Sequence, residues 1–233
     1  MQRLFLVLIF FLSGLQTLLA QADEKQDNIK FGITGGVAFF SESNLKQINT
    51  DVIKNLPFNV QTINNFPPTI CYGGYILTRL GSRISLGPSY QFYTTGSRLG
   101  AKDYSGSYSF DQIISAHSLG LLTELLMIKS EKSVVYFETI AGIHLANWKM
   151  EEKYNISDQE ENTTEKLKAV KPFIYPGLKC SIPITSSYGI AVKAGYSFDL
   201  TGKFRPESNP EVKSNTKVSF SGPRLTVAFE YGL

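Results

Sequence analysis

Eight separate stretches of this chain alternate apolar and polar residues with a period of two. A two-residue period is the mark of a strand with one face in an apolar environment and one face in a polar one. The first stretch sets Phe31, Ile33, Val37 and Phe39 against Lys30, Thr34, Gly36 and Ala38. The second sets Ile70, Tyr72, Ile76 and Leu80 against Thr69, Cys71, Tyr75 and Arg79, and the third Ile84, Leu86, Pro88, Tyr90 and Phe92 against Arg83, Ser85, Gly87, Ser89 and Gln91. Leu119, Leu121, Leu125 and Met127 then oppose Ser118, Gly120, Leu122 and Glu124, although this Leu-rich run also suits a buried helix. Val135, Phe137, Ala141, Ile143 and Leu145 oppose Tyr136, Glu138, Gly142 and His144. The sixth and seventh stretches place Ile174, Pro176, Leu178 and Ile182 on one face, then Ile190, Val192, Ala194, Tyr196 and Phe198. The last alternates Leu225, Val227, Phe229 and Tyr231 with Arg224, Thr226, Ala228 and Glu230. Val218 and Phe220 fall out of phase with it, and a bulge at Gly222-Pro223 is the expected reason.

The connections between stretches alternate in length. Short turns fall at Gly81-Ser82, Ser130-Glu131-Lys132 and Thr185-Ser186-Ser187, whereas 41–66, 95–107, 149–168 and 202–216 are long and polar. An even number of strands near ten residues, with short turns at one end and long loops at the other, is the plan of a membrane barrel. A soluble barrel or sandwich buries its apolar face, and the other face here, rich in Gly, Ser, Lys, Arg and Glu, suits a wet or ion-paired lumen better than a core. The expected fold is therefore all-β, an eight-stranded antiparallel up-and-down transmembrane β-barrel with short periplasmic turns and long extracellular loops. Pro88, Pro176 and Pro223 lie on the apolar faces, each beside a glycine (Gly87, Gly177 and Gly222), and bulges are expected there.

The rest of the sequence agrees with export. Met1-Gln2-Arg3 is a basic start, residues 4–12 are almost unbroken apolar, and Ala20-Gln21-Ala22 offers the small residues of a cleavage site. Residues 1–22 are read as a cleaved signal peptide and 23–233 as one barrel domain in the outer membrane of a Gram-negative bacterium. No later stretch of about 18 apolar residues suggests a membrane helix, and a mean hydropathy of −0.06 excludes a polytopic helical protein. A net charge of +3 with no arginine-rich run gives no footprint for nucleic acid.

The leader, the eight-strand plan, the Gly-Pro pairs and the terminal strand Leu225-Thr226-Val227-Ala228-Phe229-Glu230-Tyr231 resemble the PorT-like outer-membrane β-barrel proteins of Bacteroidota. The resemblance implies insertion into a Gram-negative outer membrane and carries over no functional residue. Unlike the common enterobacterial barrel signal, the chain ends in Gly232-Leu233 rather than in a terminal Phe.

Charges on the polar faces form the most specific pattern. With turn centres at 81, 131 and 186, Arg79 faces Arg83, Glu124 faces Glu138, and Lys179 faces Lys193. Arg224 and Glu230 follow on the last strand. Like charges directly opposite repel, so the pattern makes sense if acids meet cations across a narrow lumen. Eight strands leave an interior just wide enough for side chains to fill. The expectation is a buried network in which Glu124 and Glu138 share Lys179, Lys193 and Arg224, rather than an open pore.

Candidates for chemistry are few. His117 and His144 are the only histidines, and Ser118 and Glu138 nearby fix no nucleophile. The reading is no catalytic residue, no metal site and no cofactor, with a rim-site hydrolase as a distant third. His144 is expected in the lumen and His117 at the rim or facing outward. Cys71 and Cys180 lie on opposite faces of distant strands, so no disulfide is expected.

At about 26 residues the first long connection exceeds ordinary loop lengths. Within it Leu45, Ile48, Val52, Ile53 and Leu56 recur at helical spacing, with Ser43 or Asn44 as cap and Pro57 past the end. An amphipathic helix folding over the barrel mouth is expected; strand extension is the alternative. The favoured function is a monomeric structural or interaction barrel, embedded in outer-membrane lipid and meeting a protein or surface polymer through its loops. The alternative is a narrow channel or ligand-binding barrel for small solutes.

Overall fold

The computed structural model describes residues 29–41, 43–56, 58–104, 106–156, 159–200, 203–208 and 218–232. The predicted leader 1–22 and most of the connection expected at 202–216 lie outside them. Among the described residues ten strands and one helix follow in chain order: β1 (Ile29–Ala38), α1 (Ser43–Asn55), β2 (Gln61–Asn65), β3 (Thr69–Leu80), β4 (Ile84–Asp103), β5 (Gly106–Lys129), β6 (Val134–Ile156), β7 (Gln159–Pro183), β8 (Tyr188–Asp199), β9 (Arg205–Pro206) and β10 (Gly222–Gly232).

Eight of these strands close a ring in the order β1, β3, β4, β5, β6, β7, β8, β10, every neighbour antiparallel. The closure is the pairing of β1 with β10, from Lys30–Gly232 to Ala38–Arg224. The Leu-rich run of β5 is strand, not helix. Throughout the ring the alternation read from the sequence decides direction. Ile33, Ile70, Leu121, Leu178, Val192 and Val227 point out, while Thr34, Cys71, Leu122, Lys179, Lys193 and Arg224 are buried inside.

Three features differ from the sequence expectation. The β3–β4 hairpin pairs Arg79 with Ser85 and Leu80 with Ile84, so its centre is Ser82 and Arg79 does not face Arg83. Gly81, at φ 78, makes the left-handed step that a longer side chain resists, and Arg83 is taken up in the three-residue turn. Second, the stretches 95–107 and 149–168 are not loops. β4 and β5 stay paired out to Asp103–Gly106, and β6 and β7 out to Ile156–Gln159. The 24 residues of β5 and 25 of β7 are more than twice the 9–11 that span a bilayer. A ladder clear of hydrocarbon needs no apolar outer face, and Arg98, Asp111, Lys149 and Glu151 line this part's outside.

Third, the prolines make missing rungs rather than bulges. Register is the same on both sides of Pro88 in the β3–β4 pair and of Pro176 in the β7–β8 pair, with two rungs absent at each. Nor is there a bulge at Gly222-Pro223. Val218 and Phe220 are buried, in phase with Arg224, because their partners are inside the mouth. A Cβ on Gly222 would lie 1.9 Å from the Phe39 carbonyl oxygen, so this entry to β10 admits only glycine.

Candidate functional site

The inward residues fill the barrel in layers. Nearest the short turns, Lys179 donates to Glu124 and, at 2.8 Å, to Glu230, whose other oxygen accepts from Ser181 at 2.6 Å. Lys30 reaches Glu124 at 3.4 Å and Glu230 at 3.9 Å, and the Tyr75 hydroxyl donates to Glu230. Lys179 also lies 4.5 Å from the Tyr136 ring centre. Glu124 and Lys179 are wholly buried. Removing such ions from water costs several kcal/mol each unless they are paired and hydrogen-bonded, which is what this cluster provides.

One step further in, Lys193 pairs with Glu138 at 2.8 Å and lies 4.5 Å from the Tyr75 ring. Above it Arg224 bonds Gln91 at 3.2 Å, and Tyr93 and Ser197 at 2.5 Å each, with the rings of Tyr93 and Tyr175 about it at 4.7 and 5.1 Å. Among the described residues no carboxylate pairs with Arg224. Its charge is held by neutral acceptors and aromatic faces.

The next layer joins Ser118, His144, Asp199 and Lys171. Ser118 Oγ lies 2.5 Å from His144 Nδ1, and His144 Nε2 lies 3.5 Å from Asp199 Oδ1. Lys171 holds Asp199 at 3.1 Å and donates to the Val218 carbonyl. The residue types are those of a hydrolytic triad. Here, however, the His144 ring stacks on Phe173 at 4.0 Å, with Tyr93 and Phe220 against it, and both Ser118 and His144 are buried. His117 faces outward and meets the Tyr90 hydroxyl at 2.9 Å.

Above this lie the apolar residues Ile114, Trp148, Leu167, Phe204, Val218 and Phe220, joined by Leu45 of α1. The helix docks inside the long hairpins. Leu45 is buried, and Ile48, Val52, Ile53 and Leu56 pack on Leu99, Tyr108 and Phe110. Its buried polar residue, Asn49, accepts from Gln112 at 2.7 Å and donates to Ser97 at 3.1 Å, while Gln112 accepts from Trp148 at 3.2 Å. A docked helix therefore adds no orphaned amide to the mouth.

Of the residues singled out in the sequence, Glu124, Lys179 and Glu230 come together, Glu138 and Lys193 form a second pair, and Arg224 stands apart from both. Glu124 and Glu138 do not share cations. Arg79 and Arg83 lie exposed at the short-turn rim, Arg79 as the last residue on the inward parity of β3 and Arg83 within the turn itself. Lys30, Tyr75, Lys171 and Asp199 belong to the interior although charge pairing in hairpins did not single them out. Their place on the inward parity of their strands was the available signal.

No protein-family model matches the sequence, and no curated protein matches it. Among solved structures the chain is similar to neisserial surface protein A (NspA), at 8% identity over 88% of this chain and 95% of that one, with a TM-score of 0.39. It is similar to a major outer membrane protein from Thermus thermophilus, at 10% identity over 87% and 99%, TM-score 0.46. Ail, the attachment invasion locus protein of Yersinia pestis, aligns at 12% identity over 90% and 100%, TM-score 0.34. At these identities the likeness concerns the fold alone.

Proposed function

We propose that this chain is a small outer-membrane β-barrel protein with a closed interior, acting as a structural or interaction module through its long hairpins and α1. The carrying observation is the interior itself: from Lys179 to Trp148 every layer is occupied by paired ions, aromatic rings or apolar side chains. Membrane insertion is supported by the outer surface. Large apolar residues stand exposed on all eight ring strands, from Ile33 on β1 to Phe229 on β10, and such a belt is not stable in water. Tyr188, Phe229 and Tyr231 cluster at its short-turn end, and Tyr196 pairs with Phe198 at the other. Aromatic girdles at both edges are the membrane-barrel pattern, and a strand of ten residues tilted by about 40° covers about 25 Å.

In this reading the chain is exported through residues 1–22 and sits as a monomer in the outer-membrane lipid of a Gram-negative bacterium. Its short turns are in the periplasm, and its extensions meet a protein or surface polymer. A PorT-like relationship within Bacteroidota is part of the same proposal, supported by the Gly-Pro pairs and the terminal strand. The function is non-enzymatic, consistent with the burial of Ser118 and His144 beneath Phe173. Planar-bilayer recording of refolded, heat-modifiable protein tests it. No steady current is expected. A steady open current would overturn the closed-interior reading in favour of a narrow channel.

A further inference from the structure

The two long hairpins and the end of α1 border a cleft of about 260 Å³, open to solvent, lined by Leu56, Tyr108, Glu152, Tyr154, Glu161 and Thr163. Its wall is two adjacent rungs across three strands. Tyr108, Tyr154 and Glu161 form one rung, and Glu152 and Thr163, beside Phe110, form the next. All of these face into the mouth, and Leu56 covers them from the helix side. The Tyr108 hydroxyl donates to Glu152 Oε1 at 2.8 Å, fixing that carboxylate, and Phe58 packs edge-on to Tyr108 with ring centres 5.6 Å apart.

Charge on these strands is sorted by face. On the outside, Glu151 is gripped by Lys149 at 2.5 Å and Lys153 at 2.7 Å, Asp111 by Arg98 at 2.6 Å, and Lys168 meets Glu207 at 2.6 Å. The inner rungs of the β6–β7 hairpin carry Glu152, Glu161 and Glu165 and no lysine or arginine until Lys171, which is engaged by Asp199 far below. Among the described residues no cation pairs with Glu152 or Glu161. The result is a concave, solvent-open site with two aromatic rings and two exposed carboxylates that lack a positive partner among the described residues.

We propose that this cavity binds an organic ammonium group, quaternary or primary, of a small solute. Tyrosine faces attract such cations through the ring quadrupole, and carboxylates supply the opposing charge. A metal ion is a poorer fit: only two carboxylates line the cavity, one already holds a tyrosine hydroxyl, and hard divalent ions take six or more oxygen ligands. The volume lies just below the range of pockets for drug-sized ligands, which suits a trimethylammonium head. Leu56 and Phe58 would meet the alkyl part. Trp148 and Leu167 lie beneath the site, so the ligand stays at the mouth.

This inference deepens the interaction reading by naming a ligand class, and it is tested separately from conductance. Refolded full-length mature barrel in octyl glucoside, a detergent without choline, is titrated calorimetrically with choline and with its neutral isostere 3,3-dimethylbutan-1-ol. Saturable choline binding is expected, with the alcohol at least tenfold weaker. Glu152→Gln keeps the acceptor for Tyr108 and should weaken choline about threefold, as should Glu161→Gln, and the pair together at least tenfold. Thr163→Lys, at an exposed position, places an internal ammonium in the cavity and should abolish binding while the heat-modifiable band persists. Equal binding of the alcohol, or no saturable choline binding up to about 50 mM, would overturn the proposal. Either result leaves the closed-lumen reading untouched, because that stands or falls on current.

Discussion

Glu124 and Glu138 stand directly opposite one another on β5 and β6, yet they turn to different lysines: Glu124 to Lys179 and Lys30, Glu138 to Lys193. Lys179 and Lys193 are themselves cross-strand neighbours on β7 and β8. Two like-charge pairs thus become two unlike pairs across the lumen. The repulsion within each rung is offset only while the barrel is closed, so closure and the ionic layer stabilise each other.

The acid that shares cations with Glu124 is Glu230, since Lys179 and Lys30 meet both. Glu124→Ala should cost about 3–5 kcal/mol by leaving buried cations short of a partner. Leu121→Ala, on the lipid side, should cost clearly less. In a denaturant double-mutant cycle, Glu124 and Glu230 should couple by about 0.5–3 kcal/mol, and more strongly than Glu124 with Glu138. A coupling of zero between Glu124 and Glu230 would rule out the shared-cation cluster.

Tyr75 lies over Gly32, where an added Cβ would come within 2.2 Å of the ring. Gly32→Ala must therefore displace the ring and its bond to Glu230, at a cost of about 1–3 kcal/mol as overpacking. Tyr75→Ala makes room for that methyl group. Equilibrium unfolding should show the double variant less destabilised than the two single losses added together.

Asn49 anchors α1 through Ser97 and Gln112. Asn49→Ala should cost about 1–3 kcal/mol, felt locally. Amide exchange should quicken in residues 43–55 while the ring strands keep their protection. Unchanged exchange in the helix would mean that Leu45 and its neighbours suffice to dock it.

Cys71 is buried and Cys180 exposed, and both thiols are free. A membrane-permeant maleimide should add one mass increment to the folded barrel, at Cys180, and a second only after denaturation. A bonded pair in unreduced protein would contradict the strand order, because cysteines on well-separated strands cannot meet within about 7 Å.

Hydrogen bonds from Lys149 and Lys153 hold the Glu151 carboxyl down at about 2, against an ordinary value of 4.5. A depressed folded-state value means that the contribution of the Lys149–Glu151–Lys153 cluster is present above 4.5 and is lost as pH falls through about 2. Carboxyl carbon NMR of the hairpin should place the Glu151 midpoint near 2. In Lys149→Gln with Lys153→Gln it should return toward 4.5.

Period-two alternation was enough to assign the two faces of the ring strands, because the face a strand residue takes is a local property of the pleat, and the alternation of short and long connections then pointed to the barrel. Ile33, Leu121 and Val227 had to face out once Thr34, Leu122 and Arg224 faced in. Register at the turns centred on 131 and 186 was legible for the same reason, so Glu124–Glu138 and Lys179–Lys193 followed from the residues alone. At 82 it was not, since Gly81 can start the turn at either of two positions and parity is the same for both. The tertiary structure decided what local pattern cannot hold: which lysine meets which acid across the lumen, and that Arg224 rests on Tyr93 and Ser197 rather than on a carboxylate. It also decided that the polar stretches after Thr95 and Lys149 continue as paired strand, and that Glu152 and Tyr154 wall a cavity beneath Leu56. Each of these depends on how the closed ring sets distances between strands far apart in sequence, and no window of neighbouring residues contains that information.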